Sequence, residues 1–238
     1  MRRMRLQRGS GRIAATSAVD LTAYDRKWDI RLFWPRLTSN GSTWSCRYEI
    51  DGSHRHVYGE SSLTALNGTL LILSTSLYYC DQGRVGKLGF AGEVGGYLGV
   101  PQTCSDRAGR SFFVRDDRVR ALVRAGVVAN ERRRGQPMAE ESYPVAWSPE
   151  NMPVRLYTPR WRARDNSWAA AFEVGAPVGL RGEGRGDTSL QALYAAHLAL
   201  VDQIRRSGPY RAGRVGWGCR PKKYLFLTPV IEPDAAAD

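Results

Sequence analysis

Apolar positions along the chain follow two rhythms, and each rhythm occurs twice. Leu63, Leu66, Leu70, Leu73 and Leu77 stand at helical spacing, and this apolar stripe predicts a helix starting at or beside Ser61. A second stripe, Leu190, Leu193, His197, Leu200 and Ile204, follows 127 residues later with His197 in the place of Leu70. Ahead of the first helix the period shortens toward two. Residues 30–36 and 44–50 flank a turn-rich stretch at 38–42, where Asn40-Gly41 signals a β-hairpin. Asp51-Gly52 then turns the chain into a third strand near residues 54–58, and Gly83 and Gly86 end the helical region before a further strand at 85–90. The predicted unit is ββ(β)αβ.

The second occurrence is a repeat in register. Residues 154–160 match 30–36, and 168–174 match 44–50, both at a displacement of 124. Three extra residues enter between 175 and 186, after which the displacement is 127 through the helix and on to residues 214–217. A constant displacement broken by one loop insertion indicates duplication. The expected fold is α+β: two homologous ββ(β)αβ units, mainly antiparallel sheets each covered by one helix, in a pseudo-twofold arrangement. The segments are a basic N-terminal arm at 1–27 with no more than a strand near 11–15, a first unit at 28–103, and a connector at 104–150. A second unit at 151–230 and a tail at 231–238 complete the chain. The connector carries a helical candidate at 116–125, and its charged run and Pro137 place a boundary near Gly135.

Pro35-Arg36 and Trp44-Ser45-Cys46 in the first unit, with Pro159-Arg160, Gly184-Arg185-Gly186-Asp187 and Gln191-Ala192-Leu193 in the second, carry a family likeness. They resemble short bacterial domains of uncharacterised function with a Pro-Arg hairpin, a Trp-led strand and a Gly-x-Asp-Ser-x-Gln-Ala-Leu-like helix start. The resemblance implies two such domains in tandem. The first unit has Glu60 and Thr64 where that pattern has Asp and Gln, so the pattern residues are not all required in both units.

Composition adds limits. With 42% hydrophobic and 24% charged residues the chain reads as globular, and no apolar run is long enough to span a membrane. Met1-Arg2-Arg3-Met4-Arg5 is followed by polar and glycine residues instead of an apolar core, so a cytoplasmic protein is expected. Cys46, Cys80, Cys104 and Cys219 lack the spacing of a disulfide framework or a zinc site. The net charge of +12 divides unevenly: +5 in 1–27, 0 in 28–104, +2 in 105–150 and +5 in 151–238. Whatever the two units share therefore does not depend on positive charge.

Candidate chemistry is sparse. Thr188-x-x-Gln191 has capping-box spacing, and Asp187 beside it would repel an anion, so Gly182-x-Gly184-x-Gly186 reads as structure and not as a phosphate cradle. Arg31 and Arg155, and Arg36 and Arg160, recur beside strand positions; they either mark a duplicated anion site or face solvent and pair with the equally recurrent Glu49 and Glu173. Trp44 and Trp168 are expected in the sheet-helix core. His54-x-His56 places two imidazoles on one strand face without a third ligand, and no metal or cofactor is expected. The residues singled out for binding are Arg155, Arg160, Trp161, Arg162, Arg164, His197 and Trp217, an arginine and aromatic set typical of interfaces. The expectation is a non-enzymatic binding protein with a protein partner, of immunity or antitoxin type. Nucleic-acid binding through the arm and the second unit is the first alternative. An enzyme acting on a small anionic substrate between the units is the second, and it requires the shared arginines and His197 to converge.

Overall fold

The computed structural model describes residues 11–21, 26–84, 86–91, 93–94, 97–105, 111–114, 117, 120–121, 136–146, 148–217, 220–221 and 230–231. The boundary expected near Gly135, most of the helix expected at 116–125 and the first ten residues of the arm lie outside them; Asp117, Arg120 and Ala121 are helical. The protein is mixed α+β, and among the described residues its sheets are antiparallel apart from one strand pair.

Among the described residues the first sheet has seven strands. They are β1 (Ile13–Leu21), β2 (Arg26–Phe33), β3 (Arg36–Leu37), β4 (Trp44–Ile50), β5 (Ser53–Gly59), and, after helices α1 (Ser62–Tyr79) and α2 (Asp81–Arg84), β6 (Leu88–Phe90) and β7 (Glu93–Val94). β5 takes one whole edge of β4, so β2 and β3 share the other. Three residues of the β2–β3 side, Phe33, Trp34 and Pro35, face two on β4, a bulge that suits proline because no ladder donor is needed there. The two turns form as their residues dictate. Asn40 Oδ1 accepts from the Ser42 and Thr43 amides at 3.1 and 3.2 Å, while Asp51 and Gly52 both take positive φ, 48° and 81°, as a two-residue hairpin requires.

β1 is the first departure from expectation. The arm was expected to run to residue 27, yet Ile13–Leu21 is a strand paired with β2 along its length. Its buried residues are Ala14, Ala15, Val19 and Leu21, an irregular set whose small side chains conceal the alternation. The connector departs likewise: β8 (Thr103–Ser105), β9 (Ser111–Val114) and β10 (Ala139–Tyr143) are strands.

β10 opens a second sheet with β11 (Met152–Leu156), β12 (Arg160–Arg162), β13 (Ser167–Val174) and β14 (Leu180–Gly186), followed by helices α3 (Ser189–Arg206) and α4 (Gly208–Arg211). Its registers parallel those of the first sheet. Ile30, Arg31 and Leu32 face Ile50, Glu49 and Tyr48; Val154, Arg155 and Leu156 face Val174, Glu173 and Phe172. The bulge recurs at Tyr157, Thr158 and Pro159. Both long helices begin alike, with Ser61 Oγ accepting from the Thr64 amide at 3.0 Å and Thr188 Oγ1 from the Gln191 amide at 3.1 Å. Gln191 reaches back one residue further than a capping box would, to the Asp187 amide at 2.7 Å. Near the end of the chain β15 (Gly216–Trp217) pairs with β16 (Arg220–Pro221), and β17 (Val230–Ile231) lies parallel to β9, which is antiparallel to β8.

The helices lie between the sheets, each against strands of both: α1 on β4, β5 and β10, α3 on β13, β14 and β1. Ser62 Oγ donates to the Glu140 carbonyl at 3.0 Å and accepts from its amide at 2.8 Å; Ser189 Oγ donates to the Thr16 carbonyl at 3.1 Å and accepts from its amide at 2.7 Å. The five leucines of the α1 stripe are fully buried, and α3 is buried on every side from Ser189 to Val201. Its approach to β14 is close enough that a Cβ on Gly184 would stand 1.9 Å from the Ala196 amide nitrogen. The glycines ahead of α3 therefore form the floor on which the helix rests.

Candidate functional site

Alternation along β4 buries Cys46 and Tyr48 and turns Ser45, Arg47 and Glu49 to the outer face of the first sheet. On β5 the outward residues are His54, His56 and Tyr58. The register sets Ser45 opposite Tyr58, Arg47 opposite His56 and Glu49 opposite His54, and β3 adds Arg36 opposite Ser45. A groove of about 220 Å³ opens here, with Arg36, Leu37, Ser45, Arg47 and His56 around it, Phe33 and Trp34 in its wall, and no carboxylate in its lining.

The groove's aromatic faces are already covered by cations. The Arg47 guanidinium lies 3.8 Å from the Phe33 ring centroid, and that of Arg12 lies 4.3 Å from the Trp34 centroid. Arg47 also meets Glu49 at 3.4 Å, while Arg36 is exposed and has no carboxylate partner among the described residues. Ser45 Oγ and His56 Nδ1 are 2.9 Å apart. Desolvation first, then the charges of Arg47 and His54, lower the His56 pKa, so the ring is neutral at pH 7 and the arginines carry the groove's charge. His54 and His56 share one face as their spacing predicts, with ring centroids 6.1 Å apart. Among the described residues no group of three or more His, Cys, Asp or Glu side chains is placed to hold a metal ion.

The same face of the second sheet is closed. The cross-strand pair Arg47–His56 has its positional counterpart in Ala171–Glu183. Glu183, only 1% exposed, accepts from Arg162 at 2.7 and 2.8 Å and from Arg185 at 3.0 and 3.1 Å, and Asp165 meets Arg185 at 3.2 Å and Arg162 at 3.5 Å. A buried carboxylate tolerates its charge only with such partners.

A second concavity, about 350 Å³, lies where the sheets meet, between Trp34, Trp44 and Ser62 on one side and Met138, Glu140, Arg155 and Tyr157 on the other. Arg155 and Tyr157 in its lining are held by carboxylates, while the Trp34 indole nitrogen is buried without a hydrogen-bond partner among the described residues. Arg155 reaches Glu140 at 3.5 Å and Glu173 at 4.0 Å, and the Tyr157 hydroxyl donates to Glu173 at 2.8 Å. Burial, then the bond to Glu173 and that residue's charge, push the Tyr157 pKa up to about 12.

The seven residues singled out from sequence are dispersed. Arg155 lines the seam, Arg162 is held by Glu183 and Asp165, and Arg160 and Arg164 are exposed at the β12 end of the second sheet. Trp161 is 49% exposed with its ring edge-on to Trp168 at 5.8 Å, and Trp217 pairs with Arg220 through the backbone. His197 is fully buried, 6.2 Å from the Phe113 ring, with neither ring nitrogen hydrogen-bonded among the described residues, and burial pushes its pKa down to about 4. The convergence of His197 with the arginines that an inter-unit active site requires is therefore absent from the described residues. The pairing of Arg31 with Glu49 and of Arg155 with Glu173 is present, each at 4.0 Å. Trp44 and Trp168 are half-buried at the margin of the core. Arg47, Ser45 and Phe33 were not singled out; the signal for them was the exchange of Arg47 for Ala171 and His56 for Glu183 between otherwise matching strands.

Fold and groove together define a mixed α+β protein with an open arginine-rich and aromatic sheet face. Residues 17–102 match a family model described as a domain of unknown function (DUF6968). The match begins within β1, so the family's unit takes in part of the strand left out of the periodic pattern, and it ends just before β8. No curated protein and no solved structure matches the chain. Among the described residues no helix is long and apolar enough to cross a membrane.

Proposed function

We propose that the chain is a non-enzymatic binding protein, built from two copies of one unit that associate as a fused dimer would, and that it engages a protein partner in the bacterial cytoplasm. The fused-dimer reading is supported by reciprocity: Ser62 of α1 bonds both backbone groups of Glu140, and Ser189 of α3, its positional equivalent, bonds both backbone groups of Thr16. Contact of one surface with its counterpart, each way round, is the signature of an isologous interface.

The observation that carries the protein-binding reading is the open groove on the first sheet. Arginine and aromatic groups with apolar neighbours are the composition of protein interfaces, and the face stands outside the sheet-helix-sheet core. A partner of immunity or antitoxin type fits a small binding module of this kind. Nucleic-acid binding through the second unit has less support, because Arg155, Arg162, Arg181 and Arg185 there are paired with Glu140, Glu173, Glu183 and Asp165. The test is crosslinked recovery from native-host lysate at physiological salt, with the full chain as bait and Arg36→Ala as the control. A specific protein recovered by the first and reduced with the second supports the reading; recovery of none overturns it.

A further inference from the structure

The two sheets solve the same patch of surface in opposite ways. In the second sheet a carboxylate, Glu183, sits on the outer face with two arginines donating to it and Asp165, in the turn between β12 and β13, completing the cluster. In the first sheet the position of Glu183 is His56, its cross-strand neighbour is Arg47 instead of Ala171, and the flanking β3 residue is Arg36. Arginine forks are present on both faces, and in the second a buried carboxylate lies between two of them. Glu49 is close to Arg47, yet it also serves Arg31 at 4.0 Å, and Arg36 has no such partner among the described residues.

We propose that the groove of the first sheet receives an Asp or Glu side chain of an acidic segment of a partner protein, bound between Arg36 and Arg47 beside Ser45 and His56. This rests on the reading of the chain as a protein-binding module and names the chemistry of that same face. Three features select a carboxylate on a peptide. Guanidinium groups match carboxylate geometry with paired donors, and cross-strand neighbours two residues apart are close enough to share one acceptor. Ser45 and the neutral imidazole of His56 add hydrogen-bonding capacity without adding charge. Leu37, 51% exposed, offers apolar surface to the carbon stem of the incoming residue or its neighbour.

A nucleic-acid strand fits less well. Single-stranded binding needs free aromatic faces for bases, and the faces of Phe33 and Trp34 are covered by Arg47 and Arg12. A run of phosphates would also have to pass Glu49 and Asp29 on the same face, whereas one carboxylate need not.

The experiment is an amide-resonance titration of the full chain with three probes: a blocked peptide of alternating Glu and Leu, inorganic phosphate, and a single-stranded thymidine oligonucleotide. The peptide is expected to shift Arg36, Leu37, Ser45, Arg47 and His56, and Arg36→Ala or Arg47→Ala is expected to weaken it about five- to tenfold, the loss of a charge-assisted contact. His56→Glu, which writes the internal carboxylate of the second sheet into the first, is expected to abolish the shifts. Should that variant not fold, the exposed Arg36→Ala gives the same answer. Peptide binding that is unchanged in these variants, shifts confined to other faces, or groove shifts caused by phosphate or oligonucleotide and not by peptide would each overturn the proposal. The lysate recovery separates the two levels: a protein captured equally well by wild type and His56→Glu leaves the protein-binding reading standing and removes the groove from it.

Discussion

His197 is a group able to carry charge, held where a charge has no partner. Both ring nitrogens are buried without a hydrogen bond among the described residues, and the ring is fully enclosed beside Phe113. Leu70, in the matching position of α1, is equally buried, so the first helix shows what the site accepts. His197→Leu is expected to raise stability at pH 7.5 by about 1–2 kcal/mol, the desolvation cost of unsatisfied polar atoms. The sign with pH follows from the lowered folded pKa. Above the ordinary value of 6.5 the ring is neutral in both states and costs nothing by protonation. As pH falls from 6.5 toward about 4 the unfolded chain takes up a proton that the folded one refuses, and stability is lost across that window. Urea unfolding of wild type and His197→Leu at pH 7.5 and 5.0 checks this: the variant's advantage should widen by about 2 kcal/mol at the lower pH. An advantage equal at both values would show that the ring has found a proton acceptor.

At the scale of elements both sheets pack a long helix on strand with the same spacing and exchanged side chains. In the first, Val57 of β5 faces Gly68 of α1, where an added Cβ would lie 3.0 Å from a Val57 methyl; in the second, Gly184 of β14 lies beneath Ala195 and Ala196 of α3. The bulk stands on the strand in the first and on the helix in the second. Gly184→Ala must push backbone aside and is expected to cost about 2–3 kcal/mol in urea unfolding. Gly41→Ala, in open space at a φ of 71°, should cost about 1 kcal/mol through strain alone. Glu183→Gln tests the closed face of the second sheet. Arg162 and Arg185 remain partly solvated, so the loss is expected at about 1–3 kcal/mol, below that of a fully enclosed pair. The α1 stripe and the hairpins were legible in sequence because leucines at helical spacing and Asn-Gly or Asp-Gly turns act locally. β1 was legible only at its start, near 11–15, and β10 was not, since alanines give weak alternation and their pairing with β2 and β11 is a tertiary choice. The enclosure of α3 was hidden for a related reason: Ala192, Ala195, Ala196 and Ala199 bury as readily as leucine but write no stripe.

For the molecule as a whole, the residues that meet across the seam decide what can be separated. The candidate groove was only partly legible, because Arg36, Arg47 and His56 converge through the registers of three strands, and a sequence shows each strand singly. The seam was less so, since nothing local marks Ser62 and Ser189 as the residues that bind the opposite sheet. Yet α1 is covered by β10 of the second sheet and α3 by β1 of the first, and the Tyr194 hydroxyl of α3 donates to the Leu70 carbonyl of α1. Opening the seam would expose both helices at once. Unfolding is therefore expected as one transition with equal calorimetric and van't Hoff enthalpies, without the intermediate that two independent domains would show. Ser62→Ala and Ser189→Ala should each lower that single transition by about 1 kcal/mol or somewhat more, since each leaves a backbone pair without its partner. Because each serine ties one helix to the opposite sheet while the rest of the seam stays packed, either substitution should leave the unfolding all-or-none. Two resolved transitions in the calorimeter, with each substitution moving only one, would show instead that the units fold separately and that the seam is a contact of convenience.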